Sequence, residues 1–131
     1  MGRAFNLSQF QHNVTDGTTT VATTYVTNGV AKAWANIDGT GSVNLRDNNN
    51  CSSVSDEGTG HYKLTFSSNM SSANYSPVAS GNISTTNSAR DVVCPATTIT
   101  TSQIDVKCTR SDTLAAEDFD FAMVHVMGNL A

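Results

Sequence analysis

The segment His61-Tyr62-Lys63-Leu64-Thr65-Phe66 alternates polar and apolar residues without a break, and it follows a turn-forming run, Asp56-Glu57-Gly58-Thr59-Gly60. A period of two sends successive side chains to opposite faces of an extended chain, so this hexapeptide predicts a β-strand that buries Tyr62, Leu64 and Phe66. The pattern recurs along the chain. From Lys32 to Asp38, Ala33, Ala35 and Ile37 share one face and Trp34 takes the other, and Asp38-Gly39-Thr40-Gly41 closes the segment as a turn. Val43 and Leu45 oppose Ser42, Asn44 and Arg46, after which Asp47-Asn48-Asn49-Asn50 reads as a loop. Cys51 and Val54 precede the next turn. Tyr75 and Val78 mark a further strand, which Pro77, unable to donate to a ladder, confines to an edge, a bulge or a strand end.

Gly81 to Asp91 reads as a long polar loop, and Val92 to Thr101, Ile104 to Thr109 and Phe119 to Met127 complete the set of strands. The last would carry Phe119, Phe121, Met123 and His125 on one inward face. Leu114 to Asp118 suits a helix too short to define a fold. Roughly seven to eight short strands joined by turns predict an antiparallel β-sandwich or jelly-roll-like module. Composition agrees: Ser, Thr and Asn are abundant, charged residues make up 14% and hydrophobic ones 38%. Thr fits a half-buried strand, whereas Ser and Asn favour turns over helix interiors. A length of 131 residues suits one domain with a short arm, read as an arm over 1–28 and a sandwich over 29–131. So lean an apolar supply predicts oligomerisation through a sheet edge or face.

The first 28 residues differ in character. Phe5, Leu7 and Phe10 are scattered among polar residues ahead of Thr15-Asp16-Gly17-Thr18-Thr19-Thr20. An Asp-Gly pair between β-branched residues suits a hairpin. An extended arm that docks on a neighbouring chain fits as well and is the preferred reading.

The net charge of −4 and the absence of a Lys/Arg cluster leave no footprint for a phosphate backbone, so no nucleic-acid partner is expected. No apolar stretch near the start suits a signal, and none approaches the roughly 20 residues that span a bilayer, so no membrane insertion is expected. Cys51, Cys94 and Cys108 are odd in number and widely spaced, which predicts reduced thiols and leaves a Cys94–Cys108 contact across neighbouring strands as the pairing to consider. His12, His61, His125 and eleven scattered acidic residues form no recognised catalytic constellation, and no cofactor motif is present. No enzyme activity and no cofactor are expected. A polysaccharide depolymerase would need a positioned acid/base pair that the chain does not display.

Three residue groups carry a sharper reading beside a bland one. His125 could hold an ion on a symmetry axis, against a packed, hydrogen-bonded histidine. Glu117, Asp118 and Asp120 could bind Ca²⁺, although their spacing matches no calcium loop, against a solvated acidic segment. Trp34 could offer a carbohydrate platform, against core or intersubunit packing. The bland reading is preferred in each case, so no metal is expected, and His61 is expected to face solvent. The Asn-x-Ser/Thr sites at Asn6, Asn13, Asn50, Asn69, Asn74 and Asn82 exceed the roughly three that chance gives in so Asn-, Ser- and Thr-rich a chain, but without a signal peptide they carry little meaning.

The run Ala31-Lys32-Ala33-Trp34-Ala35-Asn36-Ile37-Asp38-Gly39-Thr40-Gly41, then Val43 to Asn48, then Ser53 through Gly58-Thr59-Gly60-His61-Tyr62-Lys63-Leu64-Thr65-Phe66 and Ala73-Asn74-Tyr75, resembles a β-rich module of tail-fibre and appendage proteins of marine bacteriophages. The likeness spans about residues 30 to 80. Ile37 stands where the pattern usually has Phe. The resemblance implies a structural component of a virion, assembled in a bacterial host cytoplasm, that contributes to host-surface attachment; the alternative is a capsid decoration, head fibre or tail adaptor. It also implies a homotrimer. Its partners would be other virion proteins, bound through an arm carrying Phe5, Leu7 and Phe10, and a host glycan or outer-membrane protein. The expected receptor-facing loops carry Asp47, Asn48, Asn49, Asn50, Asn69, Asn82 and Asn87.

Overall fold

The computed structural model describes residues 13–16, 19–83 and 90–131, and the chain divides into two compact units, Met1–Val30 and Ala31–Ala131. In the first unit β1 (Asn13–Asp16) pairs antiparallel with β2 (Thr19–Ala22), Asp16 opposite Thr19, and α1 (Thr23–Gly29) follows. Over these residues a hairpin replaces the extended arm, because the Asp-Gly step and its β-branched flanks favour strand pairing. Phe5, Leu7 and Phe10 lie outside the described residues. α1 has no side-chain cap, and Tyr25, Val26 and Val30 in and after it are exposed.

The second unit is an all-β, sandwich-like fold. Its described strands are β3 (Ala33–Asp38), β4 (Asn44–Asn49), β5 (Cys51–Gly58), β6 (His61–Phe66), β7 (Ser76–Asn82), β8 (Arg90–Val93), β9 (Gln103–Arg110) and β10 (Phe121–Met127). They form two antiparallel sheets of order β4-β3-β10-β7 and β5-β6-β9-β8. β7, which carries Pro77, is an edge strand, where a missing N–H costs no ladder bond.

The two inner faces differ in size. The first sheet contributes Ala33, Ala35, Ile37, Ala122, Val124 and Val126; the second contributes Tyr62, Leu64, Phe66, Ile104, Val106 and Cys108. Smaller side chains on one sheet give room to larger ones on the other, so the two faces can close on each other. Gly81 belongs to this fit: a β-carbon there would sit 2.5 Å from the Phe121 carbonyl oxygen and 2.8 Å from the Phe119 ring.

Several expectations are corrected. The inward face of β10 is Ala122, Val124 and Val126, so Phe121, Met123 and His125 point outward and His125 is exposed. Both faces of this strand are apolar in sequence, and the packing chose the smaller set. Phe119 is fully buried, but ahead of the strand, where its carbonyl accepts the Gly39 N–H at 2.8 Å. Trp34 lies half-buried on the outer face of the first sheet, not in the core. Asp47, Asn48 and Asn49 belong to β4, because pairing with Asn36, Ala35 and Trp34 satisfies their backbone groups whatever their side chains. The loop shrinks to Asn50, at φ +56°. Pro95 and a 3₁₀ turn at Ala96–Thr98 follow β8, which ends at Val93 and not at Thr101. Leu114 to Asp118 is not helical; Leu114 takes φ +58°, and Ala116 bridges Thr109.

Candidate functional site

The register fixes which connections share an end of the sandwich. At one end lie the Asn50 turn, residues 67–75, residues 94–102 and residues 128–131; at the other lie residues 39–43, 59–60 and 111–120. Those segments of the Asn50 end carry no Asp, Glu, Lys, Arg or His; Lys32, whose N–H donates to Val126 O at 2.8 Å, enters β3 at the same end.

Asn50 organises the neutral end. Its conformation is one that Asn tolerates among L residues, and its amide bonds in both directions: Nδ2 donates to Ser68 O at 3.1 Å and Oδ1 accepts from Ser68 N at 2.7 Å. Ser67 N also donates to Asn50 O at 3.1 Å. Buried Met70 then pins the connection, its N–H donating to Thr101 O at 2.8 Å, while Ser71 N donates to Asn129 O and Ala131 N to Asn69 O. The Tyr75 hydroxyl lies 3.0 and 3.1 Å from the carbonyls of Thr100 and Gln103, and its ring meets Phe66 edge-on at 5.8 Å. Burial holds that phenol up at about 12, in its neutral, donating form. Two apolar pegs thus hold a surface of exposed Ser67, Ser68, Asn69, Ser71, Ser72 and Asn74.

Of the receptor-facing residues expected from sequence, the fold brings Asn50 and Asn69 together at this end. Asp47 and Asn49 are exposed on the outer face of the first sheet, and Asn48 is half-buried. Asn82 is exposed at the far end of β7, opposite Phe121, and so at the other end of the sandwich. Asn87 lies outside the described residues.

The opposite end is charged and closed upon itself. Asp118 Oδ1 accepts from Gly60 N at 2.7 Å and from the Tyr62 hydroxyl at 3.2 Å, and that hydroxyl accepts from Phe119 N at 3.3 Å. Glu117 faces Arg90 at 2.9 Å, with the Arg90 side chain 3% exposed. Arg46 pairs with Asp38 at 2.6 Å, donates to the Asp120 carbonyl and lies over the Phe121 ring. The first two of the acidic trio, Glu117 and Asp118, therefore hold the 111–120 connection. Among the described residues, no group of three or more His, Cys, Asp or Glu is placed to hold a metal ion. A shallow cleft of about 260 Å³ opens between Glu57, Thr59, His61, Lys107 and Thr109.

His61 is not free in solvent. Its Nε2 meets Asp105 Oδ2 at 2.8 Å on the outer face of the second sheet, with side chains 28% and 6% exposed. Asp105 Oδ1 is enclosed and has no hydrogen-bond partner among the described residues. The hydrogen bond to Asp105 fixes the orientation of the imidazole ring. The three thiols are free. Burial pushes Cys51 and Cys94 up to about 11 and Cys108 up to about 12, so they stay protonated and unreactive at neutral pH.

Sequence reasoning missed the Tyr62–Asp118–Gly60 lock, the Arg90–Glu117 pair and the His61–Asp105 pair. Only the last left a signal, both residues standing on the polar face of a predicted strand, but the register that sets them side by side was not written in either segment. No family model, no curated protein and no solved structure matches this chain.

Proposed function

We propose that this chain is a structural component of a bacteriophage virion, of the fibre or appendage type, that contributes to attachment to the host surface. The observation that carries this reading is the neutral end of the sandwich. There, anchored loops offer amide and hydroxyl groups, and residues 67–75, 94–102 and 128–131 carry no charged side chain, a chemistry suited to recognising another polar, uncharged surface. Loops on a rigid scaffold are where binding residues concentrate. The resemblance over residues 30 to 80 supplies the setting, a homotrimeric assembly in a particle built in a bacterial cytoplasm.

A purely structural role, as a capsid decoration, head fibre or tail adaptor, draws on a different observation. The separate unit Met1–Val30 exposes Tyr25, Val26 and Val30 around a helix of seven residues, too short to be stable alone in water. Such a segment fits an anchoring arm for another virion protein. Immunogold labelling of intact particles separates these readings. Gold at the fibres or tail supports attachment, gold over the capsid supports decoration, and unlabelled particles overturn both.

A further inference from the structure

The outer face of the first sheet is unlike that of the second. β6 and β9 present His61, Lys63, Asp105 and Lys107 outward, with His61 against Asp105 and Lys63 against Glu57 at 3.0 Å. The first sheet instead turns its largest ring outward. Trp34 stands half-exposed with Asn49 directly opposite on β4 and His125 directly opposite on β10, both exposed. One step along, Asn36 stands between Asp47 and Met123. Asn36 Oδ1 is enclosed, without a hydrogen-bond partner among the described residues, so it is closed to a ligand on this face.

We propose that this face binds a neutral, hydroxyl-rich ring, one sugar unit of a surface glycan, with its C–H face on the Trp34 indole and its hydroxyls on the exposed Asp47, Asn49 and His125. The site rests on the attachment reading and adds to it a second contact surface beyond the neutral end. A flat aromatic ring supplies apolar area at little entropic cost, and a few convergent polar groups fix orientation. An amide, an imidazole and a carboxylate offer acceptors and donors to adjacent hydroxyls. A second protein surface laid over the same face would bury the Asn49 amide, the His125 ring and the Asp47 carboxylate, each of which then needs a partner. A sugar brings a hydroxyl to each of them. Asp47 beside the ring disfavours anionic sugars.

Trp34 is the only tryptophan, so selectively excited tryptophan emission reports this site alone. The full chain is titrated with neutral hexasaccharides of glucose, galactose and N-acetylglucosamine, and with a hexuronic acid as the anionic counterpart. At least one neutral oligomer should give a saturable shift in emission, and the uronic acid none. By calorimetry, Trp34→Ala should weaken binding by at least about tenfold, the scale of an aromatic anchor. Trp34→Phe, which keeps a ring, should retain most of the affinity, and circular dichroism checks that both variants fold. Silence towards every neutral oligomer, or unchanged binding by folded Trp34→Ala, overturns the site. So does a concentration-dependent emission shift without sugar, which would mean that a second copy covers the face. Sugar binding at Trp34 by a protein absent from gold-labelled particles would leave the site standing and remove the virion reading; labelled particles without a sugar response would do the reverse.

Discussion

The two ends of the sandwich solve the same problem, closing the gap between sheets, with different chemistry. At the charged end the polar groups are consumed internally: Asp118 serves Gly60 and Tyr62, Glu117 faces Arg90, and Arg46 holds Asp38. At the neutral end the closing bonds run through backbone carbonyls and one amide, Asn50, with Met70 and Tyr75 as buried pegs. The side chains of Ser68, Asn69, Ser71 and Asn74 are left exposed. An end that spends its polar groups on itself is built for closure, and one that keeps them outward remains free to bind.

That contrast is open to direct attack, beginning with the charged end. Phe119→Ala removes a fully buried ring at the point where the 111–120 connection crosses Gly39. A cost of about 3–5 kcal/mol is expected in urea unfolding; a loss under 1 kcal/mol on the same scale would deny Phe119 its role as a plug. Tyr62→Phe keeps the ring but strips Phe119 N and Asp118 of a partner. Leaving them unsatisfied should cost about 1–3 kcal/mol, and an unchanged midpoint would mean that water replaces the hydroxyl.

At the neutral end Asn50→Ala deletes both side-chain bonds to Ser68 and forces Ala to adopt φ +56°, for an expected loss of about 1–2 kcal/mol. Asn50→Gly relieves the backbone and should recover part of it. Equal stability of all three proteins would show that the amide does not organise this end.

The buried thiols act at both ends and only in alkali. Cys51, Cys94 and Cys108 are held up at about 11, 11 and 12 against an ordinary value of 9.0 by desolvation. The unfolded chain therefore releases these protons first, and stability is fully present below pH 9 and lost as pH climbs toward 11–12. Urea midpoints measured from pH 7 to 10.5 should fall above pH 9, and a flat profile would mean that the thiols are solvated. The smallest effect belongs to the exposed surface: Asn69→Ala should leave stability within about 0.5 kcal/mol while reducing binding to host cells. Lost binding with intact stability would mark the neutral end as a contact surface; unchanged binding would return attention to the face at Trp34.

Much of the architecture was legible in the sequence. His61 to Phe66 is a strand with Tyr62, Leu64 and Phe66 buried, Ala33, Ala35 and Ile37 share an inward face, and Pro77 lies in an edge strand. These follow from local rules, the two-residue period and the missing proline donor, that need no knowledge of what packs where. The loop set read less well. Asp47 to Asn49 joined a strand because a ladder satisfies backbone groups regardless of side chain, and Asn82 stands at the opposite end from Asn50 and Asn69 because β7 runs the length of the sheet.

The sequence by itself determined that the chain would pair short antiparallel strands, and where most of them turn, because alternation and turn chemistry act over a few residues. Only the tertiary structure decided which face of β10 is inside, since Phe121, Met123 and His125 compete there with Ala122, Val124 and Val126. The inner faces had to fit each other, and opposite Tyr62, Leu64 and Phe66 the β10 strand turned its smaller set, Ala122, Val124 and Val126, inward. That same fit turned Trp34 outward.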